Sequence, residues 1–227
     1  MALKDQINHF FHSPVMKSLR NRIRRILPTD LGQRKLQMPV LETERLVLRQ
    51  LDQDDLRDIT TWDEVTSVQN NDVAAQEFLE YCFREYRERG VGPWGIQLKE
   101  TGAIVGNCGF PDIIFKKLCG EVNYYIASRY RGKGLAPEAL QALLVWGFRE
   151  IGLTRIQARC EPDNLSSERV MQKAGMKFEG WIEQAPSLKD SSPKQKLYAI
   201  QGNDFNKVNN GSDYLAMNMT ARSNDSR

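Results

Sequence analysis

A short basic turn with two glycines, residues 131–136, holds the residue types best suited to chemistry in this chain. It reads Arg131-Gly132-Lys133-Gly134-Leu135-Ala136 and lies between an apolar, strand-like run and a run with helical spacing. The first amides of a helix have no intrahelical acceptor, and the helix dipole places its positive end there. Glycines let a backbone approach an anion closely, and the two basic side chains add charge at the rim. The pattern therefore predicts a phosphate-binding turn at a helix start.

Glycines in such a turn can also serve the backbone alone, because strand-to-helix connections use glycine for geometric reasons. The nucleotide-binding patterns fit poorly. GxxxxGK[ST] is absent from the sequence, and no GxGxxG follows a strand here. The turn by itself therefore leaves a purely geometric role open.

Hydrophobic periodicity indicates the elements that must hold this turn. Strands are predicted near residues 45–49, 94–99, 104–110, 121–126, 155–160, 177–183 and 196–200. Helices are predicted from about residue 52 to 62 and over residues 74–88, 137–150 and 165–173. Glu100-Thr101-Gly102 indicates a hairpin, and Gly152 and Gly175 are placed to end helices. The turn therefore follows a central strand and opens the third helix.

Several ordered motifs resemble the GCN5-related N-acetyltransferase (GNAT) superfamily over roughly residues 40 to 204. Arg131, Gly134 and Ala136 match the family's pyrophosphate motif [Q/R]-x-x-G-x-[G/A]. The resemblance is closest to the ribosomal-protein N-terminal acetyltransferase (RimJ/RimL-like) branch. The segments that match this branch are Leu41 to Arg49, Glu121-Val122-Asn123-Tyr124, Gly134 to Ala139, Asn164 with Ser167, and Lys173-Ala174-Gly175-Met176. Pro137, Met176 and Asn123 depart from the usual residues, and none of them removes a group that the chemistry needs.

The resemblance implies an α/β (α+β) GNAT fold, with a mixed, mostly antiparallel central sheet that is splayed at the acyl-CoA site and has helices on both faces. It implies acetyl-CoA as the acetyl donor, with no metal. The residues expected to bind it are Ile126, Ala127, Arg131, Gly132, Lys133, Gly134, Leu135, Ala136 and Asn164. Glu121 is expected to be the general base and Ser167 the proton donor to the departing thiolate. The acceptor would be a primary amine, either a protein N-terminal α-amine or a small molecule.

Each expected role has a structural alternative. Glu121 at a strand start can simply be solvated, and Asn164 is a natural helix N-cap with Ser167 at the third helical position. Tyr124 and Tyr125 offer a phenol as an alternative acid, although aromatic strand residues usually lie in the core. A non-catalytic acyl-CoA-binding module that senses CoA or assembles with a partner remains the alternative function.

Composition restricts the class of protein. The chain has 227 residues, of which 41% are hydrophobic and 27% charged, so one globular domain with extensions is expected. No run of 18 apolar residues or secretory signal pattern is present, and Cys82, Cys108, Cys119 and Cys160 form no CxxC pair. A cytoplasmic protein with free thiols is predicted. With only His9 and His12, histidine-based metal or triad chemistry is disfavoured.

The basic charge is concentrated at the amino terminus. Residues 1–37 carry a net charge of +6, whereas the rest of the chain carries −3. Residues 13–27 have the pattern of a basic amphipathic helix, for which docking on the domain or a second subunit is favoured over contact with a membrane surface. Nucleic acid binding is disfavoured because the domain itself is acidic. We therefore expect a helical leader and linker over residues 1–37, a catalytic domain over 38–204 and a polar, disordered tail over 205–227, with homodimer formation left open.

Overall fold

The computed structural model describes residues 36–63, 71–183 and 194–209. Within them a mixed sheet of eight strands is flanked by helices. The strands are β1 (Leu41–Glu42), β2 (Leu46–Gln50), β3 (Trp94–Leu98), β4 (Ile104–Ile114), β5 (Cys119–Ile126), β6 (Arg155–Cys160), β7 (Lys177–Glu183) and β8 (Lys194–Gln201). The helices are α1 (Leu56–Ile59), α2 (Asn71–Arg89), α3 (Leu135–Val145), α4 (Leu165–Lys173) and α5 (Gly202–Asn209). The expected mixed, mostly antiparallel sheet is confirmed.

The sheet opens between β5 and β6. Its strand order is β1-β2-β3-β4-β5-β6-β8-β7, and β5 and β6 are its parallel neighbours. They pair only at their beginnings, where Cys119, Gly120 and Glu121 face Arg155, Ile156 and Gln157. In the described part of the chain, the later half of β5 has no pairing with β6. We call this gap the splay.

Each face of the sheet carries its own hydrophobic cluster, because successive strand residues point to opposite faces. Val105 and Tyr124 belong to the cluster under α3 and α4, whereas Ile104 and Tyr125 belong to the cluster under α1 and α2. The first cluster contains Trp94, whose ring packs edge-on against Trp146 with centroids 4.9 Å apart. Trp146 directly follows α3, so this packing holds the end of α3 against the central strands.

Two features of the fold differ from the sequence expectation. β4 continues to Ile114 although a strand was expected to end at Phe110. Its register shifts between Gly109 and Asp112, so Pro111 lies in a bulge where a ladder N–H is not required. In addition, the helix Gly202–Asn209 crosses the domain boundary expected at residue 204, and Phe205 on it is fully buried against Phe148.

Other expectations lie outside the described residues. These are the leader helix over residues 13–27, most of the linker before residue 36, the acceptor-side loop over residues 184–193 and the tail beyond residue 209. None of the helices within the described part of the chain has the length and hydropathy of a membrane span.

Candidate active site at the splay

The basic turn leaves β5 and opens α3 as expected. Gly132 and Gly134 both have φ of 77°, a left-handed conformation that glycine adopts without a Cβ clash. The first helical hydrogen bond runs from Glu138 N to Gly134 O over 3.4 Å, so the preceding amides have no intrahelical acceptor. A Cβ added to Gly132 would meet no atom within 4 Å, so space lies beside the backbone there. The arrangement is suited to holding an anion on backbone N–H groups.

A carboxylate fixes the far side of this turn. Glu138 Oε1 accepts hydrogen bonds from Thr43 Oγ1 at 2.5 Å and Arg45 N at 2.9 Å, and its Oε2 accepts one from Arg45 Nε at 2.7 Å. Arg45 in turn donates through Nη1 to the Lys133 carbonyl oxygen at 2.9 Å. Partial burial raises the pKa of Glu138, but these donors outweigh it and hold the pKa below its ordinary value. The β1–β2 turn therefore holds the phosphate turn in place.

The Arg131 guanidinium is bound on the inner side of the turn instead of projecting from its rim. It donates through Nε to the Ile126 carbonyl oxygen at 2.7 Å and through Nη2 to Asp63 Oδ2 at 3.1 Å. Asp63 was not anticipated from the sequence. Lys133 Nζ lies 5.5 Å from the centroid of the Tyr130 ring, so its charge stays near the outer surface of the turn.

The backbone of β5 presents alternate residues to the splay. Ala127 N donates to Val105 O at 2.9 Å, and hydrogen-bonded and non-bonded pairs alternate along an antiparallel ladder. Val122, Tyr124 and Ile126 therefore direct their N–H and C=O groups away from β4 and toward the splay. The Ile126 carbonyl is already taken by Arg131, and the Ala127 carbonyl accepts from Tyr130 N at 2.8 Å. A ligand in the splay would pair with Tyr124 and with Ile126 N–H rather than with Ala127.

Glu121 lies at the last paired position before the splay. Its Oε2 accepts a hydrogen bond from Gln157 Nε2 at 2.9 Å and pairs with Arg159 Nη2 at 2.8 Å. Both contacts fall on the same oxygen, and none of the described residues donates to Oε1. Glu121 is thus neither a freely solvated strand end nor a buried acid, and its second oxygen remains available to an incoming donor.

The start of α4 lies across the splay from β5. Asn164 caps this helix, accepting from Ser167 N at 3.0 Å and from Ser166 Oγ at 2.8 Å. The Tyr124 hydroxyl lies 2.8 Å from Ser167 Oγ and donates to Ser167 O at 2.9 Å. Burial raises the pKa of Tyr124 to about 12, so this phenol is neutral at physiological pH. Tyr124 and Ser167, considered separately as acids, are therefore one hydrogen-bonded pair.

Glu121 and Ser167 approach the splay from opposite faces of the sheet. Glu121 shares the face of Tyr125 under α1 and α2, whereas Ser167 contacts Tyr124 on the face of α3 and α4. The partners of Glu121 on β6 were missed from the sequence, although the alternation in Arg155-Ile156-Gln157-Ala158-Arg159 signals a polar face there. Among the residues that the structure describes, no cluster of three metal-ligating side chains forms.

The chain is similar to known proteins both in sequence and in fold. A family model described as "Acetyltransferase (GNAT) domain" matches residues 45–177. The uncharacterized N-acetyltransferase YoaA of Bacillus subtilis (strain 168) is 32% identical over 170 residues, which cover 71% of this chain and 96% of YoaA.

Solved structures share the architecture. The acetyltransferase (GNAT family) from Bacillus anthracis superposes with a TM-score of 0.60 at 27% identity, covering 72% of this chain and 99% of that one. A putative ribosomal-protein-serine acetyltransferase from Vibrio cholerae superposes with a TM-score of 0.63 at 19% identity, covering 71% of this chain and 97% of that one. At that identity the second similarity shows the fold alone.

Proposed function

Because the chain belongs to the GNAT acetyltransferase family and is an N-acetyltransferase, we propose that it transfers an acetyl group from acetyl-CoA to a primary amine at the splay. The observation that carries this proposal is the position of the phosphate turn. Its helix-start amides, which have no intrahelical acceptor, follow the end of β5, directly beyond the backbone groups that β5 presents to the splay. One extended ligand with a diphosphate at one end can use both.

In the proposed complex, the diphosphate of acetyl-CoA binds the N–H groups of residues 132–136, because Arg131 N already donates to Ser128 O at 3.1 Å. The amide-bearing arm then extends along β5 like an added strand, pairing with Tyr124 and with Ile126 N–H. Asn164, which caps α4, borders the same opening. The thioester carbonyl would accept from a β5 N–H near its end, where the developing oxyanion needs a donor.

Glu121 is proposed as the general base. An alkylammonium must lose a proton before its nitrogen can attack the thioester carbon. Oε2 is held by Gln157 and Arg159, so Oε1 is the atom that takes this proton, directly or through water. N-terminal α-amines have a pKa near 8, so they need less help from a general base than alkylamines do.

Ser167 is proposed as the proton donor on the other side of the reacting centre. Attack forms a tetrahedral intermediate, whose collapse breaks the carbon–sulfur bond and releases the CoA thiolate. Ser167 Oγ gives its proton to that sulfur as it takes the proton of the Tyr124 hydroxyl, which at that step donates to Ser167 Oγ in place of Ser167 O. The attacking nitrogen loses its remaining extra proton to water, and water returns a proton to Tyr124, so both hydroxyls are restored.

The proposed acceptors are protein N-terminal α-amines, with small amines as the second choice. The Vibrio cholerae neighbour is named a putative ribosomal-protein-serine acetyltransferase, and that name makes protein N-terminal α-amines the first class to test. The four cysteines are free thiols in the structure, which supports the proposed cytoplasmic location.

The test is thiol release from acetyl-CoA by the full chain, with a panel of peptides bearing different N-terminal residues and a panel of polyamines and other small amines. The matched control for each peptide is the same peptide with a blocked N-terminus. Thiol release accompanied by one added acetyl group on the free amine supports the proposal. Tight acetyl-CoA binding without acetylation of any amine would overturn it in favour of a non-catalytic acyl-CoA-binding module.

A further inference from the structure

Three donors from the β5 end and the phosphate turn converge on one carboxylate, Asp63. Its Oδ1 accepts from the Tyr125 hydroxyl at 2.8 Å and from Ser128 N at 2.7 Å. Its Oδ2 accepts from Arg131 Nη2 at 3.1 Å. Tyr125 belongs to β5, Ser128 to the helical turn after it, and Arg131 to the phosphate turn. One side chain thus contacts the β5 end, the helical turn and the phosphate turn, along which the proposed acyl donor would lie.

Asp63 is itself firmly placed. The preceding residue, Trp62, is buried, donates through Nε1 to Ile104 O at 3.2 Å and packs its ring 5.4 Å from that of Tyr125. Partial burial raises the pKa of Asp63, but the donors from Ser128, Tyr125 and Arg131 outweigh it, so the pKa lies below its ordinary value. Asp63 is therefore a carboxylate at neutral pH, with both oxygens used.

The contacts of Asp63 fit a role in the acetyl-CoA site better than a role in the stability of the whole fold. The Arg131 and Asp63 side chains are 52% and 39% exposed, and ion pairs exposed to that extent contribute little to folding free energy. The same pair, however, holds Arg131 against the Ile126 carbonyl and over the Tyr125 ring, 5.6 Å from its centroid. The Arg131 guanidinium therefore contacts the end of β5, and the backbone amides of the turn are the groups that would bind the diphosphate.

We propose that Asp63 is a positioning residue for acetyl-CoA, holding Tyr125, Ser128 and Arg131 so that the end of β5 and the phosphate turn keep the spacing that one extended ligand requires. This assignment rests on the proposed function. In this assignment Arg131 holds the phosphate turn in place, and Asp63 balances the charge of Arg131. Because Asp63 follows α1 closely in the chain, it also connects that part of the chain to the acetyl-CoA site.

The experiment compares Asp63→Asn with Asp58→Asn in the full chain. Asparagine at position 63 can still accept from Tyr125 and Ser128, but it loses the ion pair to Arg131. Asp58 lies on the adjacent helix and accepts from Ile104 N at 2.7 Å without contacting the turn, so its variant is the matched control. Calorimetry gives the Kd for acetyl-CoA, steady-state kinetics give KM and kcat, and thermal unfolding reports folding.

The expected result is a rise of about tenfold in Kd and KM for acetyl-CoA in Asp63→Asn, with kcat at saturation within about threefold of wild type and no comparable rise in Asp58→Asn. Arg131→Gln should act through the same contact, so the double variant should weaken binding no more than either single change. A Kd for Asp63→Asn within twofold of wild type, or fully additive losses, would overturn the assignment. Failure of wild type itself to bind acetyl-CoA would instead overturn the proposed function, and this assignment with it.

Discussion

The Tyr124 hydroxyl lies 2.8 Å from Ser167 Oγ, joining β5 to the first turn of α4 across the splay. The two residues are separated by 43 positions in the chain, and only the fold brings them together. The contact gives the proposed proton donor a defined partner. It also makes the role of Ser167 separable from its place in the helix cap, which depends on its backbone N–H.

Ser167→Ala should lower kcat about 10²-fold across the whole pH range, because the thiolate loses its proton donor. The Kd for acetyl-CoA should change little, since Asn164 still caps the helix through Ser167 N. Ser166→Ala on the same turn is the matched control. Equal and small losses in both variants would leave Ser167 with a capping role only.

Tyr124→Phe keeps the ring and removes the hydroxyl, so kcat should fall about tenfold while the fold persists. Because burial raises the pKa of Tyr124 to about 12, wild-type kcat should show no ionisation of this phenol between pH 6 and 9. A pH–rate profile of both proteins checks this. A kinetic pKa in that range that disappears in Tyr124→Phe would contradict the neutral-phenol role.

Glu121→Gln should lower turnover most for amines of high pKa and at low pH, where the substrate ammonium is most populated. Losses of about 10²-fold are expected there, and smaller ones for N-terminal α-amines. Glu85→Gln is the control, because Glu85 also pairs with an arginine, Arg89, but both residues lie on α2. Turnover of Glu121→Gln matching that of Glu85→Gln would assign Glu121 to the ion pair alone.

Glu138→Gln should destabilise the chain at neutral pH by about 1.5–3 kcal/mol, the usual range for hydrogen bonds to charged groups. The pKa of Glu138 is lower in the folded state than in the unfolded chain, so its contribution is present above the unfolded value and is lost as pH falls through the folded value. Thermal unfolding of variant and wild type should therefore converge in acid. A constant difference at every pH would contradict this linkage.

Removing residues 1–35 should leave a folded chain that binds acetyl-CoA, since the turn, the splay and the family match all lie after residue 40. The cut should come before Leu36, because Leu36 and Met38 pack on the hydrophobic cluster and Trp94 Nε1 donates to Pro39 O at 2.9 Å. Circular dichroism and calorimetry test this. Loss of folding in the shortened chain would make the leader part of the domain.

Local patterns predicted the elements well where propensity, capping and burial agree. The sequence indicated β6, α4 and β7 at their observed bounds, since alternation, an Asn164 cap and a stop at Gly175 point the same way. Local patterns did not predict α5. A short polar segment gives little periodicity, and Phe205, which is fully buried on this helix, packs against the distant Phe148.

The site was predicted in part, for a related reason. The phosphate turn is local, so its glycines and helix start could be recognised from neighbouring residues. The partners that define side-chain roles are remote: Asp63 meets Arg131 across 68 positions, and Glu121 meets Gln157 across 36. Only the contacts formed in the folded chain show that Arg131 is held against the end of β5 and that one oxygen of Glu121 is occupied.

Two glycines allow the most direct test of acetyl-CoA binding at the turn. Gly132 and Gly152 have nearly equal φ, 77° and 78°, and a Cβ on either would meet no atom within 4 Å, but only Gly132 belongs to the turn. Gly132→Glu and Gly152→Glu should therefore incur similar backbone strain. Calorimetry should show acetyl-CoA affinity lowered at least tenfold in Gly132→Glu and unchanged in Gly152→Glu. Equal affinity in both folded variants would contradict diphosphate binding by residues 131–136.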